Sequence, residues 1–154
     1  MAAAGPVNVY NNAIKFLMNG TLDLDSNTIK LALFASSMTV DLAAHDTLSD
    51  LSGEIAAGYG YSTGGATLAN VALTAVTNGF KFSSNDVTWD ASGGAIPAWR
   101  YGVFYASGTL NGVVNPLIAY FVGDATPTDV PATSDGNSLQ IRCPTAGWFD
   151  IVRA

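Results

Sequence analysis

From Asn78 onward the chain is cut at short, regular intervals by turn-forming residues. These are Asn78-Gly79, Ser92-Gly93-Gly94, Ser107-Gly108, Asn111-Gly112, Asn115-Pro116 and Asp135-Gly136-Asn137. Each supplies the positive or fixed φ that a tight reversal needs. Strands are predicted between them, near residues 80–82, 87–90, 99–106, 117–122, 139–143 and 148–152, with another near 68–76. Many short strands separated by turns fold as an antiparallel β-sandwich or barrel, a jelly roll included.

Strand 99–106 has aromatic residues on both faces. Trp99, Tyr101, Val103 and Tyr105 alternate with Arg100, Gly102, Phe104 and Ala106, which predicts a central strand covered on both sides. In 139–143, Leu139, Ile141 and Cys143 alternate with Gln140 and Arg142, the pattern of a strand with one wet face.

The first part of the chain reads differently. Tyr10, Ala13, Ile14, Leu17 and Met18 follow helical spacing, with Asn8 to cap the start and Gly20 the end, so 1–20 is a helical segment. Ile29, Leu31 and Leu33 then alternate as a strand. A short second helix is predicted over 48–57, with Thr47 and Asp50 at capping-box spacing, although Gly53 weakens it. Residues 125–136, with Pro127 and Pro131, form the longest predicted loop. No repeat or linker divides the chain, so residues 1–154 are read as one domain.

Charge limits the function classes. Only 12% of the 154 residues are charged, against about 25% in ordinary soluble domains, and 49% are hydrophobic. Protein interfaces are depleted in charge at their centres, so part of this surface is expected to be covered by neighbours. Net charge is −6 and the six basic residues are scattered, which argues against nucleic acid as a partner. No apolar run is long enough for a membrane-spanning helix, and the opening residues lack the pattern of a secretory signal. Synthesis in the cytoplasm is the expectation, and the single cysteine, Cys143, offers neither a disulfide nor a zinc cluster.

Three candidate chemistries fail on the residues themselves. Gly60-Tyr61-Ser62-Thr63-Gly64 fits the nucleophile-elbow pattern, but a predicted helix precedes it, and the only histidine, His45, comes before the serine. Asp23-Leu24-Asp25-Ser26-Asn27 opens like a calcium loop, yet Thr28 stands where glycine is needed and Phe34 where a bidentate glutamate is needed. Glu54 is the only glutamate, and the aspartates favour turns, so no acid–base pair can be nominated. Asn19-Gly20-Thr21 has the form of a glycosylation sequon, which has no meaning without secretion.

No catalytic, cofactor or metal residue is therefore assigned. The aromatic residues Tyr59, Tyr61, Trp89, Trp99, Tyr101 and Tyr105 are read mainly as core. Tyr59 and Tyr61 are expected to be exposed because loops run over surfaces, and with Ser62 and Thr63 they form the candidate interaction loop.

Several blocks carry a resemblance. They are Tyr10-Asn-Asn-Ala-Ile-Lys-Phe-Leu17, Thr28-Ile-Lys-Leu-Ala-Leu33, Ile55-Ala-Ala-Gly-Tyr-Gly-Tyr-Ser-Thr-Gly-Gly65, Phe82-Ser-Ser-Asn-Asp-Val-Thr-Trp89 and Ala98-Trp-Arg-Tyr-Gly-Val-Phe-Tyr105. The succession continues through Asn115-Pro-Leu-Ile-Ala-Tyr120 and Trp148-Phe-Asp-Ile151, and resembles small virion structural proteins of tailed phages. That resemblance implies a β-rich capsid decoration (cement) subunit, or another head or tail component, with no catalytic residues. Its implied partners are the major capsid protein or other virion proteins and further copies of itself, a trimer foremost, and its implied location is the virion. A tail- or fibre-associated module for host recognition or glycan binding is the alternative.

Overall fold

The computed structural model describes residues 3–126 and 128–154. The strands are β1 (Asn8–Val9), β2 (Ile29–Phe34), β3 (Ala66–Thr67), β4 (Ala72–Val76), β5 (Gly79–Ser83), β6 (Val87–Asp90), β7 (Tyr101–Ala106), β8 (Thr109–Leu110), β9 (Val113–Val114), β10 (Leu117–Val122), β11 (Ser138–Ile141) and β12 (Phe149–Val152). One α-helix, α1 (Asn11–Met18), and one 3-10 turn, Leu48–Asp50, complete the described elements.

All pairing in the named sheets is antiparallel. The main sheet runs β1-β10-β7-β2-β3, and smaller sheets are β12-β5-β4, β11-β6 and β8-β9. The fold is mainly β and sandwich-like, and the sheets do not close into a barrel. β7 lies between β10 and β2, and residues Gly102 to Ala106 are all buried, as two-sided aromatic patterning predicts. Gly102 leaves the space that the Phe121 ring fills, and Phe104 packs on Phe121 and Trp148 with ring centroids 5.8 and 5.0 Å away.

The helical stripe is rotated from the expected one. α1 buries Ala13 and Phe16, whereas Ile14 is exposed and Met18 is 84% exposed. Its N-cap is Tyr10, without a side-chain cap, because Asn8 is taken into β1. Gly20 follows the helix at φ 76, the left-handed conformation that ends a helix.

The second predicted helix does not form beyond the 3-10 turn. Asp50 caps it as the spacing suggests, its carboxylate accepting Thr47 N–H at 2.8 Å and Asp46 N–H at 3.1 Å. Gly53 then takes φ 87, Glu54 bridges to Phe34, and Ile55 N–H donates to Leu33 O at 3.0 Å. The backbone bonds of a helix are thus replaced by bonds to the edge of β2.

Of the predicted strand over 68–76 only 72–76 forms, as β4; β3 ends before it at Thr67 in a different sheet, and Asn70 at φ 53 stands between the two. The strand expected from Trp99 begins at Tyr101, and Trp99 instead exchanges backbone bonds with Val130. The latter contact and the Ile96–Thr133 bridge tie down the predicted 125–136 loop, of which Pro127 lies outside the described residues.

Candidate functional site

The 58–65 loop begins as a tight reversal. Gly58 and Tyr61 exchange backbone hydrogen bonds at 2.8 and 3.0 Å, with Tyr59 at φ 56 and Gly60 at φ 104 between them. Gly60 presses on the Asp90 carbonyl, where a Cβ would not fit. Tyr59 is 53% exposed, Ser62 and Thr63 are exposed, and the Tyr59 ring lies over Gly94.

Tyr61 corrects the expectation of exposure, because it is only 2% exposed. Its ring packs near Trp89, its hydroxyl donates to Glu54 Oε1 at 2.8 Å, and that same hydroxyl accepts Leu33 N–H at 2.9 Å. Glu54 Oε1 also accepts Gly64 N–H at 2.6 Å, while the Tyr105 hydroxyl donates to Gly64 O at 2.7 Å. Burial raises the pKa of both phenols, that of Tyr105 to about 12. Tyr61 is thus a pin that holds the loop to β2, and the loop presents Tyr59, Ser62 and Thr63 outward.

The other candidate motifs stay apart. His45 sits in a separate turn, its Nδ1 accepting Asp41 N–H at 3.4 Å, and no hydrogen bond joins it to Ser62 among the described residues. The calcium-like segment closes as a turn, with Asn27 Oδ1 accepting Asp23 N–H at 2.8 Å and Asp23 O accepting Asn27 N–H at 2.9 Å. Among the described residues no group of three or more His, Cys, Asp or Glu side chains converges on a cation position. Nor, among them, is any helix long and apolar enough to cross a membrane.

A larger feature lies on the sheet β12-β5-β4. Strand alternation and the registers Leu73↔Phe82↔Phe149 and Ala75↔Phe80↔Ile151 put these six apolar residues on one face. The first row runs inward, where Phe82 and Phe149 are buried with ring centroids 5.4 Å apart. The second row runs past the core, leaving Phe80 57% and Ile151 54% exposed, with Leu73 also exposed at the edge. Between this face and Leu17, Leu22 and Leu24 runs an open groove of about 390 Å³. The opposite face carries Thr74, Lys81 and Asp150, and Lys81 Nζ donates to Thr145 O at 2.6 Å.

β4 forms one edge of this sheet. Its sequence, Ala-Leu-Thr-Ala-Val, contains neither charge nor proline, the devices by which edge strands ordinarily avoid pairing with other chains. No model of a known protein family, no curated protein and no solved structure matches this chain. The bare edge and the apolar face beside it therefore carry the functional reading.

Sequence reasoning missed this surface. The signal was present in the alternation of Phe80 with Phe82 and of Phe149 with Ile151, but alternation marks a shared face without saying where the core ends.

Proposed function

We propose that this protein is a non-catalytic structural subunit that binds other protein subunits through the apolar face and bare edge of β12-β5-β4. The observation that carries the reading is the outer row, with Phe80 and Ile151 paired across the sheet and held in the open. Large exposed apolar patches mark interaction sites in soluble proteins.

Covering the exposed half of each such side chain contributes about 1 kcal/mol. Association costs at least about 4 kcal/mol in lost freedom, so the row must act together with backbone pairing at the edge. Contacts of this strength suit an assembly in which many copies bind at once. With the resemblance of the sequence blocks, this supports a tailed-phage virion component, with capsid decoration as the favoured role. The partners are then the major capsid protein or other virion proteins, and further copies of the chain in a symmetric oligomer such as a trimer.

Mixing the purified protein with undecorated capsids and sedimenting them tests the role. Wild type is expected to pellet with the capsids, and folded Phe80→Ser to remain in the supernatant. Wild type left wholly in the supernatant refutes capsid decoration. Binding of a glycan by wild type, lost in Tyr59→Ala, would instead support the host-recognition alternative through the exposed Tyr59.

A further inference from the structure

The chain contains three Asn-Gly pairs, Asn19-Gly20, Asn78-Gly79 and Asn111-Gly112. Glycine after asparagine leaves the next amide nitrogen open to reach the asparagine Cγ, so each pair is chemically able to cyclise. The fold treats the three differently.

Asn19 closes α1, and its Oδ1 accepts Thr21 N–H at 3.0 Å, which ties the side chain into the turn and fixes its conformer. Asn78 is fixed by the sheet. Gly79 lies within β5 and is paired with Val76 on one side and Val152 on the other, so its nitrogen belongs to the ladder. The Asn78 carbonyl accepts Arg153 N–H at 3.0 Å, and Gly79 packs against the Ile151 carbonyl.

Asn111 and Gly112 form the two-residue loop of the β8–β9 hairpin, at φ 47 and φ 81. Both are exposed, nothing approaches Gly112 within 4 Å of where a Cβ would stand, and the Asn111 amide has no hydrogen-bond partner among the described residues. The hairpin has two residues in each strand and forms a sheet of its own. Its base is clamped, Asn115 Oδ1 accepting Gly108 N–H at 2.8 Å and Gly108 O accepting Asn115 N–H at 2.7 Å. Opening at the tip therefore breaks only the two pairs above that clamp. Such short ribbons are marginal, and local openings of this kind lie at the low end of the free-energy range for native fluctuations.

We infer that Asn111 is the site at which the folded protein undergoes spontaneous deamidation, and that Asn19 and Asn78 are protected. In an opened tip the Gly112 nitrogen loses its proton to solvent base and bonds to Asn111 Cγ. The Cγ–Nδ2 bond breaks, and the nitrogen leaves as ammonia after taking a proton from water. Water then adds to one carbonyl of the succinimide. Cleavage of the new Cγ–N bond restores the chain as aspartate, whereas cleavage of the original peptide bond gives isoaspartate. The net change is one water consumed and one ammonia released, with an added negative charge at the tip. Isoaspartate also lengthens the main chain by one carbon, so a two-residue turn no longer fits the Leu110↔Val113 register.

The test compares native with denatured wild-type protein, held in the same mildly alkaline buffer at physiological temperature, by peptide mapping and isoaspartyl methyl labelling. At each site the native rate is divided by the denatured rate. Asn111 is expected to keep a rate within about tenfold of its denatured value, with Asn19 and Asn78 suppressed at least about tenfold further. Suppression at Asn111 equal to that at the other two, or faster native conversion at either of them, overturns the inference.

Discussion

Replacing Tyr61 with phenylalanine removes one oxygen and leaves the ring in place against Trp89, so it isolates the hydroxyl's share of stability. That hydroxyl is the acceptor for Leu33 N–H and a donor to Glu54 Oε1. Leu33 is fully buried, so its amide cannot turn to water, and a buried donor left unpaired costs about 1–3 kcal/mol. Glu54 keeps its bond from Gly64 and is only partly buried, which limits its further loss. The expected destabilisation is about 2–3 kcal/mol, or a fall in Tm of roughly 5–10 °C for a domain of this size. Urea unfolding should show a lower midpoint at unchanged slope, the mark of lost stability rather than a changed denatured state. Tyr105→Phe is the control. It removes one donor to the Gly64 carbonyl and should cost only about 0.5–1.5 kcal/mol. If Tyr61→Phe falls within about 0.5 kcal/mol of wild type, the hydroxyl does not pin the loop and the argument fails.

Other expectations concern the capping carboxylate, the phenols and the exposed row. Backbone bonds from Thr47 and then Asp46 lower the Asp50 pKa from an ordinary 3.8 to about 2. A depressed folded-state value contributes stability above the ordinary pKa that is lost as pH falls through about 2, so the gap between wild type and Asp50→Asn should close over that window in acid unfolding. Burial pushes the Tyr105 phenol up to about 12 and raises Tyr61 and Tyr10 as well. Their contribution is complete below pH 10 and is lost as pH rises toward 12, so their tyrosinate absorbance should appear together with alkaline unfolding; gradual ionisation in the folded protein would contradict this. Phe80→Ser gives up the covered part of the ring, about 1 kcal/mol, and should leave the domain folded in urea unfolding, which separates loss of binding from loss of fold.

Strand positions were legible where turn chemistry and alternation agreed, as at β6, β7 and β10. The Asn111-Gly112 pair supplies two consecutive positive φ values, as the turn requires. At 78–79 the register moved, because Gly79 is taken into β5 and the loop is Thr77 with Asn78. Glu54 and Ile55 read as helical on spacing, but an open strand edge offered their backbone a better partner. Tyr61 was misplaced for a related reason. Its sequence neighbours describe a polar glycine-rich loop, whereas its burial depends on Leu33, Glu54 and Trp89, contacts that no local pattern encodes. The exposed row at Phe80 was hidden because a strand's period tells which residues share a face, and only the packed fold tells how far the cover extends.

The order of strands in the main sheet also determines when this protein can fold. Asn8 finds its partner at Tyr120, so β1 gains no neighbour until the chain is nearly made, and β2, paired early with β3 on one side, stays open on the other until Ile29 meets Ala106. Closing such distant pairs costs chain entropy before any contact repays it, which places the domain among slow folders. During synthesis β2, nearly all apolar, waits without β7, and that delay is the period of greatest exposure to aggregation. A chaperone that shields β2 until β7 emerges should therefore raise the soluble yield far more than one that acts on the finished chain.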